Sequence, residues 1–507
     1  MNNLIKSWKK FSFQPDIWLF YVFLITLPLS IRKILFFYPL NNEFNEYTGI
    51  YLYLSDIILI AVFLLFILDN KLNILSIVKF LSQPLIFLPL FLIIWAFVSI
   101  IWSPNQSIAL FKSIKLLECF LLYIYVIIRV FSLKNYYILN DMFHVEHLAV
   151  FTHKKIWENH RIVIKNIFLI IISIGLINSL IGILQFVLQH SLGFYWLKES
   201  IISPDMAGVA KVIFDGHVYI RSYGLLPHPN ILAGFLLVSI ILTWYLRNLF
   251  HVEHQNDRKC STWNKYVYIL SILIQISALI LTFSKSGILA LMLTWLYIHY
   301  KNVPRGTKLI RQFKKMFHVE HFWLILIILI IITGISFLNL KPDINSFFIK
   351  SINDRMIFIN VSRGTIISNW LLGAGNGQFV LTMDKYYSVF LENWQYQPVH
   401  NVFLLIWSEL GILGLIPFIW LLWKMFYSSY FSCIKFVPRG TNVTTSTSVK
   451  LKENQIIARG ILLGLVFIML FDHYLWDIQQ GQFIFWLIIG IVGGYNMWIS
   501  YLTIDKK

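Results

Sequence analysis

Polar residues of a few types recur where long apolar segments of this chain begin. Each of three such places carries a cation or a histidine beside an Asn or Ser that is suited to cap a helix. These residues are Arg221, His228 and Asn230 in RSYGLLPHPN, Ser284 and Lys285 in LTFSKSG, and His400 and Asn401 in QPVHNVF. Helix N-termini present free N–H groups and partial positive charge, so the pattern predicts binding of an anionic, phosphate-like ligand. We expect the two Asn residues and Ser284 to be the N-caps.

Several of these residues also have a purely structural interpretation. In that interpretation, Arg221 and Lys285 extend their charges toward a membrane interface and do nothing else. His228 is then simply part of a turn. Asp472 and His473 lie near the end of a later apolar segment, where the cost of burying an acidic group indicates a role. Both interpretations stay open at this point.

The stretch GAGNGQF resembles a phosphate-binding loop because it contains Gly373, Gly375 and Gly377. No Gly-Lys-Ser/Thr follows it, which argues against a nucleotide P-loop. We therefore expect these glycines to permit tight turns.

A repeated pentad, FHVEH, raises the question of a metal site. Its H-x-E-H spacing differs from H-E-x-x-H, which places two histidines on one helical face. Six segments of the chain are translations of one DNA palindrome, TGTTCCACGTGGAACA, in its three frames. They are Phe143–His147, Phe250–His254, Phe317–His321, Val303–Thr307, Val437–Thr441 and Cys260–Asn264. We interpret them as tolerated insertions without a chemical role, and we predict no metal site there; the codons of the gene test this.

The composition predicts what kind of elements position the polar residues. The chain has 507 residues, of which 58% are hydrophobic and only 13% charged, and its mean hydropathy is +0.70. These values lie far outside the range of soluble domains. We predict an all-α polytopic integral membrane protein with about twelve transmembrane helices, because apolar runs of about 20 residues can cross a bilayer. The predicted spans are 17–33, 50–68, 83–102, 108–130, 165–189, 230–247, 266–283, 285–300, 322–339, 401–427, 456–474 and 479–500.

The formal net charge of +18 could indicate a nucleic-acid partner, but the placement of the basic residues argues against one. With the N-terminus inside, Lys and Arg concentrate in alternate loops and in the tail. This positive-inside asymmetry predicts that both termini are cytoplasmic. The long connections at about 190–229 and 340–400 then lie on the outer, periplasmic side, and the second precedes the tenth predicted helix.

The order of the motifs resembles the O-antigen ligase/polymerase family of bacterial envelope glycan enzymes. Arginine with HPN is followed by a cation at the next hairpin, by Arg355, by G-x-G, and by HN-x-F with Glu409-Leu-Gly-Ile-Leu-Gly. The resemblance covers roughly residues 160–500, and its most specific parts are RSYGLLPHPN and HNVFLLIWSELGILGL. The spacing from Arg355 to GAG is also similar to that of the family, so VSRGT at Val361–Thr365 is interpreted as native.

The resemblance implies a membrane glycosyltransferase of the bacterial cytoplasmic membrane. It would move a glycan from a polyprenyl-diphosphate carrier to an acceptor hydroxyl on the outer side, without metal or cofactor. The acceptor could be a glycan, a lipid or a protein, so ligase, polymerase and protein O-glycosyltransferase stay open. By position, Arg221 and Lys285 would hold the pyrophosphate, although the family usually has arginine at the second place. A lysine supplies one point charge instead of a bidentate fork.

His400 takes the place of the family's catalytic histidine, and we expect it to be the general base. At the start of a helix the positive dipole end disfavours the imidazolium, so the neutral form should persist. The expected substrate-binding residues are Arg221, His228, Asn230, Lys285, Arg355 and Asn401, with Asp472 and His473 as accessory residues.

The chain is expected to comprise three parts: N-terminal helices with a cytoplasmic loop at 1–164, a ligase-like membrane region at 165–500 that includes the outer loop 340–400, and a tail at 501–507. A flippase or exporter of lipid-linked oligosaccharides is the main alternative, since a basic cavity among many helices suits such lipids too. The polar residues concentrate at one face, and the sequence shows neither inverted repeats nor interrupted helices at mid-membrane. These features favour a transferase.

Overall fold

The computed structural model describes residues 14–69, 82–131, 146–253, 262–302, 344–387, 391–427 and 442–504. The protein is mostly helical in these ranges. The helices are α1 (Pro15–Thr26), α2 (Leu54–Asp69), α3 (Pro84–Val98), α4 (Gln106–Tyr125), α5 (Glu146–Leu188), α6 (Pro229–Glu253), α7 (Thr262–Leu281), α8 (Lys285–Asn302), α9 (Ile344–Asn369), α10 (Met383–Tyr386), α11 (Val402–Tyr427), α12 (Asn442–Met469), α13 (Tyr474–Asp477) and α14 (Gln479–Ile504).

The described residues contain five helices that are long and apolar enough to cross a membrane: Pro84–Trp102, Arg161–Leu188, Pro229–Asn248, Val402–Tyr427 and Gln479–Ile499. This supports a polytopic membrane protein, and the number of twelve spans stays a prediction. The predicted span 322–339 lies outside the described residues, as do residues 505–507 of the predicted tail, whereas residues 501–504 continue α14. The expected boundary between residues 164 and 165 falls within one continuous helix, α5.

The prediction that the chain is all-α is wrong in two places, where antiparallel hairpins form. Strands β1 (Arg32–Phe37) and β2 (Gly49–Tyr53) pair with each other, as do β3 (Lys211–Phe214) and β4 (His217–Ile220). The helix of the first predicted span ends early, at Thr26, two residues before Pro28, which has no N–H for an intrahelical hydrogen bond. The second span begins late, because its first residues form β2.

Helix α14 lies at the centre of the protein, and its apolar span is buried on all sides. It packs against α4, α12 and α13, while α8 packs along α12 and α3 along α11. Peripheral helices instead keep large apolar side chains exposed; Phe87 and Ile94 on α3 are each 53% exposed. A helix that is apolar all round belongs in a core, whereas an exposed apolar face suits lipid.

A buried charged network fixes the N-terminal helices to α14. The Lys115 ammonium on α4 pairs with Asp56 on α2 and lies 3.2 Å from Glu118. Gln479, the first residue of α14, donates from Nε2 to Asp56 Oδ1 at 2.6 Å. Because an unpaired buried charge is costly, these partners hold three helices in register. The network ends two residues from Asp477, which belongs to the site described below.

The hairpin β1–β2 also positions the long connection that precedes α11. Its turn donates from Asn41 Nδ2 to the Leu391 carbonyl at 3.2 Å, and from Asn45 Nδ2 to the Tyr396 carbonyl at 3.1 Å. Asn393 donates in return to the carbonyl of Phe44. The chain from 391 to 396 is thus held in place by a segment that lies 350 residues away in sequence.

Candidate functional site

The predicted polar motifs meet at one end of the helices. Arg221 follows β4 and donates from Nε to the Thr282 carbonyl at 2.5 Å, in the turn between α7 and α8. The backbone N–H of Ser222 donates to the Leu281 carbonyl at 3.0 Å. These bonds bring Arg221 beside the beginning of α8, where Lys285 is the first residue.

A directional chain of hydrogen bonds runs from Arg221 through Asn230 to Asp472. The Arg221 Nη2 donates to Asn230 Oδ1 at 2.7 Å, and Asn230 Nδ2 donates to Asp472 Oδ2 at 2.6 Å. The other Asp472 oxygen accepts from the backbone N–H of His473 at 2.8 Å. A guanidinium can only donate and a carboxylate can only accept, so the two ends set the orientation of the central amide. We call this chain the Arg221 relay.

Burial and charge explain the protonation states at the ends of the relay. Burial lowers the pKa of Arg221 to about 10, which leaves its guanidinium charged at neutral pH. Burial alone would raise the pKa of Asp472, but His473, the other histidines and the Asn230 hydrogen bond outweigh it and lower that pKa. The relay thus links a cation to an anion through a neutral amide.

The helix caps agree with the sequence at two of three places. Ser284 Oγ accepts from the Gly287 N–H at 3.3 Å, and Asn401 Oδ1 accepts from the Leu404 N–H at 3.0 Å. The prediction for Asn230 is wrong. Helix α6 begins at Pro229, and the His228 carbonyl accepts from the N–H groups two and three residues beyond the proline. Proline suits the first helical position because it has no N–H to satisfy.

His228 is the residue that precedes α6, and its ring supports the first turn. Its Nδ1 accepts from the backbone N–H of Asn230 at 3.2 Å, which places the proton of the neutral ring on Nε2. Burial and then the charge of Arg221 lower the pKa of His228 to about 3. This histidine is therefore neutral at physiological pH.

His400 lies at the centre of an aromatic cluster just before α11. Its ring stacks on Phe358 of α9, with centroids 5.6 Å apart, and meets the His473 ring edge-to-face at 5.0 Å. Its Nδ1 is buried and has no hydrogen-bond partner. Burial, followed by the charge of His473, lowers the pKa of His400 to about 4. A neutral histidine with an unsatisfied nitrogen is suited to meet a ligand hydroxyl.

The pKa of His473 is shifted in the opposite direction to that of His400. The His473 Nδ1 lies 2.9 Å from Asp477 Oδ1. Burial opposes its charge, but Asp477 and Asp472 outweigh burial and raise the pKa of His473. The two adjacent histidines thus differ, because only one of them has a carboxylate partner.

Lys285 and Arg355 lie at the periphery of this cluster, and both side chains are exposed. The Arg355 charge, on α9, is among the causes that lower the pKa of His400, which places it on the same side. Asn401 also donates from Nδ2 to the Leu470 carbonyl at 3.1 Å and so connects the start of α11 to the end of α12. The structure therefore gathers all the predicted site residues at one end, with six of them in the cluster and its relay: Arg221, His228, Asn230, His400, Asp472 and His473.

The glycines of GAGNGQF form turns, as expected. Gly373, Gly375 and Gly377 have φ values of +77°, +109° and +72°, a region that favours glycine. Their loop attaches to α11 through the N–H of Gly375, which donates to the Glu409 carbonyl at 2.8 Å. Helix α11 is interrupted there at Gly411, whose φ is +66°. The loop is therefore anchored on α11 at the interruption of that helix.

Sequence reasoning missed two residues of the cluster, Asp477 and Tyr47. Asp477 lies four residues after His473, and this i, i+4 spacing is a signal that could have identified it. Tyr47, from the β1–β2 hairpin, meets the His473 ring edge-to-face at 5.6 Å. No local signal connects it to the site, because the contact spans most of the chain.

Within the described ranges, no group of three or more His, Cys, Asp or Glu side chains could hold a metal ion. The repeated pentads lie outside those ranges or in parts of helices whose side chains are not described.

This geometry belongs to a polytopic membrane protein with cations, a neutral histidine and a relay at one end. The sequence model of the O-antigen ligase family matches residues 270–419 of this chain. That range contains Lys285, Arg355, His400 and Asn401, whereas the Arg221 relay begins before it and ends after it. The chain resembles this family, and the match supports an enzyme of the ligase or polymerase type that acts on a lipid-linked glycan in a bacterial membrane. A search of curated proteins gave no match.

Proposed function

We propose that this protein transfers a glycan from a polyprenyl-diphosphate carrier to an acceptor hydroxyl on the outer side of the bacterial cytoplasmic membrane. The observation that carries the proposal is His400, a neutral histidine whose buried Nδ1 has no hydrogen-bond partner, beside a set of cations. The proposal includes the orientation with both termini in the cytoplasm, the catalytic region at 165–500, and a reaction without metal or cofactor.

The cations supply the binding of the leaving group. Arg221 is held by Thr282 and Asn230, and Lys285 lies three residues beyond Thr282. The Arg355 charge reaches the same cluster. Fixed cations around a leaving pyrophosphate stabilise the charge that develops in the transition state, which can contribute several kcal/mol. Lys285 offers this charge without the bidentate geometry of arginine.

His400 performs the proton transfer in this mechanism. The acceptor hydroxyl gives its proton to Nδ1, its oxygen attacks the anomeric carbon, and the bond from that carbon to the pyrophosphate oxygen breaks. The free-state pKa of about 4 makes His400 neutral but weakly basic. An adjacent pyrophosphate raises this basicity because it stabilises the imidazolium that forms. The His473 pair with Asp477 fixes the neighbouring ring.

The experiment reconstitutes the purified protein in vesicles with a labelled lipid-linked oligosaccharide and candidate acceptors. We expect His400→Ala to keep donor binding and to lose about 10²–10⁴-fold in transfer rate, the usual loss for a general base. His217→Ala is the matched control, because His217 is an exposed histidine on β4. Near-normal turnover of His400→Ala at saturating acceptor would remove this histidine from the mechanism.

The same assay separates a transferase from a flippase. Product in the vesicle bearing the glycan on a new acceptor indicates transfer, with long ladders for a polymerase and single additions for a ligase. Movement of intact labelled lipid between leaflets, without any product, would contradict the proposal and support the flippase alternative.

A further inference from the structure

Strand β1 and the residue after it expose an apolar surface at the end of the protein that carries the site. Five successive large side chains are each 38–56% exposed, and we call them the β1 surface: Ile34, Leu35, Phe36, Phe37 and Tyr38. The other strand of the hairpin is packed instead, because Tyr51 and Tyr53 on β2 are buried. Proteins in water rarely expose so many adjacent apolar side chains. The β1 surface is therefore expected to have a partner.

The β1 surface continues the lipid-facing side of the first two helices. Helices α1 and α2 pack against each other, and β2 leads directly into α2 at Leu54. The N–H of Leu54 donates to the Ile31 carbonyl at 3.0 Å, so the hairpin is fixed to the helix. Leu52 on β2 is exposed opposite Lys33 on β1. Beyond it, α2 exposes an apolar stripe at three- and four-residue spacing, which suits lipid and consists of Ile57, Ile60, Leu64 and Ile67.

The length of α1 brings the hairpin close to the edge of the hydrocarbon core. Helix α1 has 12 residues, and its backbone rises about 18 Å at about 1.5 Å per residue. A hydrocarbon core is about 30 Å thick, so α1 alone cannot carry the chain across it. The hairpin therefore begins close to the lipid, since β1 starts at Arg32 soon after α1 ends at Thr26. Its open strand edges do not belong in the core itself, but the boundary between headgroups and acyl chains accepts them.

Three features of β1 argue against a second copy of the chain as the partner. The pairing of β1 with β2 shifts register between Ile34 and Phe36, which leaves Leu35 without a residue opposite it. Lys33 lies within the strand, and Pro39 follows it. A bulge, a lysine and a proline are the usual means by which an edge strand avoids pairing with another chain. A bilayer requires no regular strand edge, and its phosphate groups attract a lysine.

We propose that the β1 surface docks into the boundary between headgroups and acyl chains at the site end of the protein, with Lys33 among the lipid phosphates. The same hairpin reaches the site. Tyr47 meets the His473 ring edge-to-face at 5.6 Å, and Asn45 Nδ2 donates to the Tyr396 carbonyl at 3.1 Å. Lipid contact thus fixes the depth of the site relative to the bilayer surface. Docking of this kind does not depend on which reaction the site catalyses.

A nitroxide spin label at Leu35→Cys tests the docking in the full-length protein. The background carries Cys260→Ser and Cys433→Ser, and the protein is reconstituted in vesicles of phosphatidylethanolamine and phosphatidylglycerol. Paramagnetic resonance compares collisions of the label with O₂, which concentrates in lipid, and with a nickel chelate, which stays in water. We expect O₂ to dominate at position 35, as for a label on the lipid-facing stripe at Ile60→Cys. The nickel chelate should dominate at Asp215→Cys, an exposed position between β3 and β4.

Two results would overturn the docking. One is a label at position 35 that the nickel chelate reaches as readily as it reaches position 215. The other is dipolar broadening between labels on two copies, because it would assign the β1 surface to a dimer. Leu52→Cys repeats the measurement without any change in β1, and its label should also collide mainly with O₂.

A charge placed in the β1 surface provides a matched pair of variants. Because a carboxylate is costly in lipid, Phe36→Asp should shift the label at Leu52→Cys toward water. Met206→Asp, at an exposed apolar position between α5 and β3, should leave that label unchanged. Lys33→Ala should shift the label in vesicles that contain phosphatidylglycerol but not in phosphatidylcholine alone. An unchanged label in Phe36→Asp, with the thermal unfolding of the parent protein, would contradict the docking.

Discussion

The Arg221 relay makes a sharp prediction, because its hydrogen bonds have only one permitted direction. In Asp472→Asn, one acceptor oxygen becomes an NH₂ group. If that group faces Asn230, two donors oppose each other where the wild-type distance is 2.6 Å. If the Asn230 amide turns over so that its oxygen accepts from residue 472, its NH₂ group faces Arg221. Arg221 is also a donor, and in the wild type its Nη2 lies 2.7 Å from Asn230 Oδ1. In the third arrangement, the new NH₂ group takes the place of Asp472 Oδ1. It then faces the backbone N–H of His473, whose nitrogen lies 2.8 Å from that position in the wild type.

Each arrangement leaves one buried donor unsatisfied. That costs about 1–3 kcal/mol, and removing the carboxylate also removes the anion that balances Arg221. Since about 1.4 kcal/mol corresponds to a factor of ten, we expect kcat/KM to fall about 5- to 160-fold if the relay positions Arg221 for the donor. The reconstituted transfer assay measures this loss, and thermal unfolding of the same preparation measures the effect on stability.

Exchanging the two side chains restores the direction of the relay. In the double variant Asn230→Asp/Asp472→Asn, the new carboxylate at 230 accepts from Arg221 and from the amide at 472. The amide oxygen at 472 can still accept from the His473 N–H. We expect the double variant to recover most of the activity that Asp472→Asn loses, whereas Asn230→Asp alone opposes two carboxylates and should be worse. A double variant no better than Asp472→Asn would refute the relay as a directional element.

Three further predictions concern pH, the kink of α11 and the repeated pentads. The kcat/KM should fall as the pH drops toward about 4, because a group with a lowered pKa stays neutral above that value, and His400→Ala should lack this limb of the profile. Gly411→Ala should destabilise the protein by roughly 1–3 kcal/mol or more in thermal unfolding. A Cβ there would meet the Leu371 carbonyl oxygen at 2.2 Å, whereas Gly208→Ala, at φ +76° in open space, isolates the backbone strain. Deleting Phe143–His147 should leave transfer intact, and loss of activity together with bound zinc would contradict the insertion hypothesis.

Local features of the sequence were sufficient to predict most of the helices, two helix caps and the glycine turns. Long apolar runs predict helices because a bilayer or a buried core requires internal hydrogen bonding, and most described helices contain such a run. Helix α9 (Ile344–Asn369) does not, since it lies in the expected outer loop 340–400. Caps at Ser284 and Asn401 could be predicted since a cap bonds to N–H groups only three residues away. The turns at the glycines of GAGNGQF follow from the same short range. The β1–β2 hairpin could not be predicted from hydropathy, because aromatic and branched residues have the same hydropathy in a strand as in a helix.

Only the tertiary structure decided how these pieces act together. Asn230 meets Asp472 across 242 residues of sequence, and no periodicity encodes such a pairing. Burial lowers the pKa of His400, so that this ring is neutral. Its neighbour His473 has a carboxylate partner, which raises the pKa of His473. Tyr47 enters the site from the other end of the chain. Hydrogen-bond partners and desolvation depend on distances in space, whereas composition and spacing report only distances along the chain; the sequence therefore named most of the site residues but not their partners.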